Sequence, residues 1–189
     1  MKADLHNHLR TSSRLHNEDF NRAIDVASER LGLNGMFAMV NFADDRYERF
    51  IGLRGYERNY LGENKNGVYV PEKKIFVVKG QEVPTQQGHL LVLGLKRDFH
   101  MRNGRPLEDA LKEAKDVEGI IVADHPFHRH GLGDYLSKHL KILNYFDAIE
   151  IFNGEACLGL PFFLPYKANQ HAEEFYKSMK EDFPALFNA

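Results

Sequence analysis

Apolar positions along the chain fall into two alternating rhythms. Short runs at "KADLH" (2–6), "GMFAMVN" (35–41), "KIFVVKG" (74–80), "HLLVLGL" (89–95), "GIIVAD" (119–124) and "DAIEIF" (147–152) read as strands. Several are continuously apolar, the pattern of a parallel strand covered on both faces. Between them, apolar residues recur at helical spacing. Phe20, Ile24, Ala27 and Leu31 form one stripe, which Gly32 stops. Leu107, Ala110, Leu111 and Ala114 form a second, opened by Pro106. Leu136, Leu140 and Leu143 form a third, and Ala168, Ala172, Phe175 and Met179 a fourth after Pro165. Strands alternating with helices predict an α/β fold with a mainly parallel sheet. Periodicity alone leaves open whether that sheet closes into a barrel.

One segment breaks the alternation. Phe42 to Lys73 mixes Tyr47, Tyr56 and Tyr60 with Arg46, Arg49, Arg54 and Arg58, and carries several glycines. It reads either as a solvated helix plus loop or as a lid offering arginines to a phosphate. No repeat, low-complexity tract or linker divides the chain, so a single domain over 1–189 is expected.

Composition narrows the function classes. A net charge of −2 gives no bulk attraction to nucleic acid or an anionic membrane, although a local patch can still bind phosphate. No apolar run approaches the roughly 20 residues that span a bilayer, and the first residues show no signal-peptide core. The single cysteine, Cys157, excludes an internal disulfide and fits a reducing, cytoplasmic setting; it reads as a small buried residue. Ser12 and Ser13 lack elbow glycines, so a serine hydrolase is unsupported. The unusual count is ten histidines. Of these, His16, His100, His139 and His171 fall in polar stretches and read as surface residues.

The other histidines gather at strand ends. Asp4, His6 and His8 alternate along the first strand and so share a face. A lone pair of this kind is weak evidence in a histidine-rich chain. However, "VVKGQEV" delivers Glu82 at the end of one strand, "GHLLVLG" opens the next with His89, and "IIVADHP" runs into Asp124 and His125. Sites in parallel α/β folds form where strands meet loops, and a buried carboxylate such as Glu82 is compensated by a cation. These residues predict a divalent-metal site.

"DLHNH", "GQEVPTQQGHLLVLG", "DHPFHRHG" and "DAIEIFNG" are similar, in this order, to the motifs of the PHP (polymerase and histidinol phosphatase) domain family. The resemblance spans residues 1 to about 155. It implies a distorted β/α barrel, seven-stranded in the family, of which about six strands are readable here. It implies metal ligation by His6, His8, Glu82, His89 and His125, with Glu82 shared between two metals, and places Asn153 near the site. His128 stands where the family often has arginine, with Arg129 following as a phosphate clamp. Three departures stand out. Asn41 occupies the place of a ligating histidine, with Asp44 or Asp45 close enough to replace it. The acid expected shortly after the His6–His8 pair is absent, with Arg14 and His16 there instead. The family's final Ser-Asp-x-His motif is missing, which reads as a truncated or degenerate C-terminus, with an open barrel edge that a second copy of the chain could cover.

The implied chemistry is phosphoester hydrolysis by a hydroxide bridging two metals, with His128 or His130 protonating the leaving group. A ligand set rich in nitrogen suits zinc, manganese or iron. The expected substrate is a small phosphate ester or a nucleic-acid end. The alternative is a degenerate relative that keeps the fold, with or without the metal, and serves as a binding or interaction domain without turnover. A metal-dependent amide hydrolase on a related barrel lacks the carboxylated lysine or second aspartate it needs.

Overall fold

The computed structural model of the chain describes residues 1–8, 16–42, 45–154, 167–179 and 181–183. Ser12, Ser13, Arg14, Asp44, Cys157 and Pro165 lie outside the described residues. Helices and strands alternate in a mixed α/β fold. The chain forms two compact units, one of residues 1–82, 93–101 and 117–119, the other of residues 83–92, 102–116 and 120–189.

In the first unit, β1 (Ala3–Asn7), β2 (Gly35–Asn41) and the strand Ile75–Pro84 up to Glu82 are parallel neighbours in that order. Between the second and third lies a hairpin, β3 (Asn59–Leu61) with β4 (Gly67–Val70), and β4 runs antiparallel against β5 (Ile75–Pro84). Helix α1 (Asn17–Leu31) starts where the Asp19 carboxylate accepts the His16 N–H at 2.7 Å. It stops at Gly32, whose φ of 76° suits glycine and whose N–H returns to the Ser28 carbonyl at 3.0 Å. The face carrying Phe20, Ile24 and Ala27 is buried and packs with Phe37 and Met39 of β2. Each large side chain so buried stabilises the fold by roughly 1.5–3 kcal/mol.

The segment between Phe42 and Lys73 is more structured than either sequence reading allowed. Helix α2 (Arg46–Gly52) buries Tyr47, Phe50 and Ile51 in the same core, so it is not a solvated helix. Arg58 donates to the carbonyls of Ile51 (2.6 Å) and Leu53 (2.7 Å), and its guanidinium lies 3.9 Å over the Phe20 ring. Arg49 pairs with Asp45 at 2.9 Å. These two arginines hold their own segment together rather than a lid's ligand.

A buried polar knot anchors α2 to β5. Lys79 is fully buried, pairs with the Glu48 carboxylate, and donates to the carbonyls of Phe99 (2.8 Å) and Lys96 (3.2 Å). Burial pushes the Lys79 ammonium below its ordinary value, against the pull of Glu48. Burial pushes Glu48 up, but Lys79 and the Asp98 N–H outweigh it and leave the carboxyl below its ordinary range.

In the second unit, β6 (His89–Leu93), β7 (Ile120–Ala123) and β8 (Ala148–Ile149) follow one another across the sheet. β7 and β8 are parallel, with Val122 opposite Ala148 and Ala123 opposite Ile149. Helix α3 (Leu107–Asp116) packs its Leu107–Ala110–Leu111–Ala114 stripe inward, and Asp147 ties the sheet by accepting the Ile121 N–H at 2.8 Å. The third predicted stripe is broken. Helix α4 (Gly133–Lys138) ends before His139, and a 3-10 turn over Leu140–Tyr145 follows. His139 leaves helical backbone at φ −131°, ψ 54°, with its ring 4.3 Å from that of Tyr135. The fourth stripe is helix α5 (Ala168–Met179).

Candidate metal-binding site

The first unit brings His6, His8 and Glu82 together. The β1–β2 pairing slips between Asp4 and Asn7, where three steps along β1 match two along β2, as in a β-bulge. The Asn7 side chain closes this irregularity by donating to the Asp4 carbonyl at 3.1 Å. Asp4 is exposed and joins no ligand group among the described residues. His6 and His8 still converge, with their Nε2 atoms 3.1 Å apart. Glu82, only 3% exposed, puts Oε2 at 2.9 Å from Nε2 of His8 and 3.7 Å from Nε2 of His6.

The donor set fits a cation. Nδ1 of His8 lies 3.1 Å from the Val40 carbonyl, which can only accept, so this bond places the proton on Nδ1. The neutral ring then presents an Nε2 lone pair to a carboxylate oxygen. Two acceptors in such contact require a positive charge between them, either a proton on the ring or a metal ion. The three separations bracket about 3.3 Å, the edge of a tetrahedron whose corners lie roughly 2.0–2.1 Å from its centre, as around zinc. Phe42 stacks on the His8 ring at 4.3 Å and 5°, fixing its plane.

The second unit assembles a histidine-rich group at the ends of β6 and β7. His89, Asp124 and His125 each offer a ligand atom, all within 4.8 Å of one another. The His89 and His125 ring centroids are 5.4 Å apart, and Nε2 of His125 lies 3.4 Å from Oδ2 of Asp124. Asp124 is fully buried, and a carboxylate there is compensated by a cation as readily as by a histidine proton. His125 itself has φ +23°, although it is not glycine and precedes Pro126.

After His125 the chain turns tightly. His128 N–H reaches the His125 carbonyl (2.8 Å), Gly131 N–H the His128 carbonyl (2.9 Å), and Gly133 N–H the Pro126 carbonyl (2.6 Å). A Cβ at Gly131 would lie 2.2 Å from the His125 carbonyl oxygen, so only glycine fits. His89 N–H donates to the His130 carbonyl at 2.8 Å, which fastens this turn to β6. The His128 ring meets His125 edge-on at 5.3 Å, and the His130 ring stacks on His89 at 5.2 Å. His130 and Arg129 are exposed and His128 is half-buried.

Other expectations resolve differently. Asn41 is fully buried, accepts the Tyr47 N–H at 2.7 Å and donates to Glu48 at 3.2 Å, so its amide supports α2. Asp45 is exposed and paired with Arg49, and it joins no ligand group among the described residues. His16, His100, His139 and His171 are exposed, as expected. Sequence reading singled out Asp124 with His125 at the end of an apolar run, but missed one acid. Glu150 accepts the His125 N–H at 2.7 Å and lies within ligand distance of Asp124. Nothing local in "DAIEIF" marks it.

No family model matches the chain, and no curated protein does. Among solved structures it is similar to a lesion-specific endonuclease from Pyrococcus furiosus, PfuEndoQ, at 16% identity and a TM-score of 0.45. That similarity covers 67% of this chain and 34% of the endonuclease, so the chain spans about a third of its length. No helix among the described residues is long and apolar enough to cross a membrane.

Proposed function

We propose that the chain is a metal-dependent phosphoesterase. In this reading His6, His8 and Glu82 hold one divalent cation, and His89, Asp124 and His125 hold another. The observation that carries the proposal is the convergence of Nε2 of His6, Nε2 of His8 and a Glu82 carboxylate oxygen, spaced as a tetrahedral ion spaces its ligands. Nitrogen donors with few carboxylates favour zinc, manganese or iron. Bound there, such ions supply Lewis acidity and activated water near neutral pH.

The protein's own groups do the rest. The Val40 carbonyl keeps the His8 tautomer that leaves Nε2 available. The turn after His125 sets His128 and His130 beside the second group, where an imidazolium can give its proton to the leaving oxygen as its bond to phosphorus breaks. Arg129, exposed in the same turn, offers its guanidinium to a phosphoryl oxygen. The substrate is a small phosphate ester or a nucleic-acid end.

Asn41 favours a second reading. With its amide committed to α2, that position supplies no ligand, which suits a degenerate binding domain without turnover. Protein purified without added metal, analysed for metal content and assayed with manganese on a chromogenic phosphomonoester and a terminally phosphorylated oligonucleotide, separates the two. About two equivalents of metal, with hydrolysis abolished by His125→Ala, supports the enzyme. Bound metal without hydrolysis of either substrate supports the binding domain, and no metal contradicts both.

A further inference from the structure

The backbone of His125 is held by a chain of side chains that begins on α5. Asn169 clamps the main chain of Asn153 from both sides, accepting its N–H at 3.0 Å and donating to its carbonyl at 3.1 Å. The Asn153 amide in turn donates to both oxygens of Glu150, at 3.2 and 3.3 Å. Glu150 then accepts the N–H of His125 at 2.7 Å. A bond from a main-chain N–H to a carboxylate is charge-assisted and short, the stronger class of hydrogen bond.

That bond acts on a residue whose conformation needs holding. At φ +23°, directly before a proline, His125 sits in a backbone region that a β-carbon disfavours at a cost of about 1–3 kcal/mol. Glu150 is also anchored through its own main chain, its N–H reaching the Ala123 carbonyl at 3.0 Å.

We infer that Asn169, Asn153 and Glu150 form a positioning relay that fixes His125 for metal binding, with Glu150 acting through the His125 amide. The inference rests on the metal-centre reading above. It assigns to α5 a part in the site that the sequence motifs do not cover, because Asn169 lies beyond the last of them. It also accounts for Asn153, whose amide donates to the Glu150 carboxylate.

The test uses the full chain with isotope labelling at histidine and zinc titration by chelator competition. Asn169→Ala removes the clamp without touching a proposed ligand, and Glu150→Gln keeps the shape of the carboxylate while removing its charge. In both variants the His125 amide proton should move upfield in metal-free protein. One of two zinc-binding steps should lose affinity by about 10-fold, the lower end of what loss of an outer partner costs. The other step should be unchanged. An unmoved amide resonance overturns the relay, and so does a moved resonance with both zinc affinities intact. A general loss of stability moves both steps together and also overturns it. Failure of the unaltered protein to bind zinc refutes the metal-centre reading instead, while the amide resonance still reports whether Glu150 holds His125.

Discussion

His8 and Val40 are joined across the β1–β2 pair by a hydrogen bond from ring Nδ1–H to the main-chain carbonyl at 3.1 Å. The bond sets which ring nitrogen keeps its lone pair, and that nitrogen faces Glu82 at 2.9 Å. A ligand bound through a main-chain carbonyl cannot be retuned by substituting the partner, so the test falls on the histidine. His8→Gln removes the paired nitrogens. Zinc affinity of the first group should fall by at least the roughly 10–100-fold typical of losing an outer partner. Chelator competition measures it, and an unchanged affinity would place the ion elsewhere.

The Lys79–Glu48 pair is a different case, since removal of one partner strands the other. Lys79 is fully buried and the Glu48 side chain is 10% exposed. Lys79→Met should cost about 3–5 kcal/mol in urea denaturation, because Glu48 is left as an uncompensated buried charge. The double variant Lys79→Met/Glu48→Leu should recover part of that loss.

Acid should act through two carboxylates. Glu48 lies below its ordinary value, burial being outweighed by Lys79, and Asp25 lies below its own through bonds from Lys73 and Tyr56. A carboxyl depressed by folding contributes stability above its unfolded value, roughly 3.9–4.3, and loses it as pH falls through the folded value. Stability should therefore hold from neutrality down to that range and decline below it. Glu48→Gln should make the decline shallower in denaturation curves taken at a series of pH values.

The turn after His125 tolerates no side chain at one position. Gly131→Ala places a methyl group 2.2 Å from the His125 carbonyl oxygen and should cost about 1–3 kcal/mol while weakening the second metal group. Gly52→Ala, with nothing within 4 Å of the added carbon, is the control and should be neutral or slightly stabilising by thermal melting.

Legibility in the sequence followed the strength of each periodic signal. β2 matches its predicted bounds of 35–41, and the stripes of α1, α3 and α5 are helices because their apolar spacing is regular. The β3–β4 hairpin escaped because its strands are only three and four residues long. They also stand among charged residues and glycines, which read as loop. β8 is a two-residue strand where six residues of "DAIEIF" promised more, since pairing with β7 ends at Ile149. The histidines were legible because imidazoles at strand ends are rare in packing. Glu150 was not, because a sequence does not show which acid accepts a main-chain N–H. The β1 irregularity between Asp4 and Asn7 was equally hidden.

Anomalous diffraction from zinc-soaked crystals tests the central claim most directly. The account predicts a peak at bonding distance, about 2.0–2.2 Å, from Nε2 of His6, Nε2 of His8 and Oε2 of Glu82 together. A map with no peak there, and with zinc confined to exposed histidines such as His100 or His139, would contradict it.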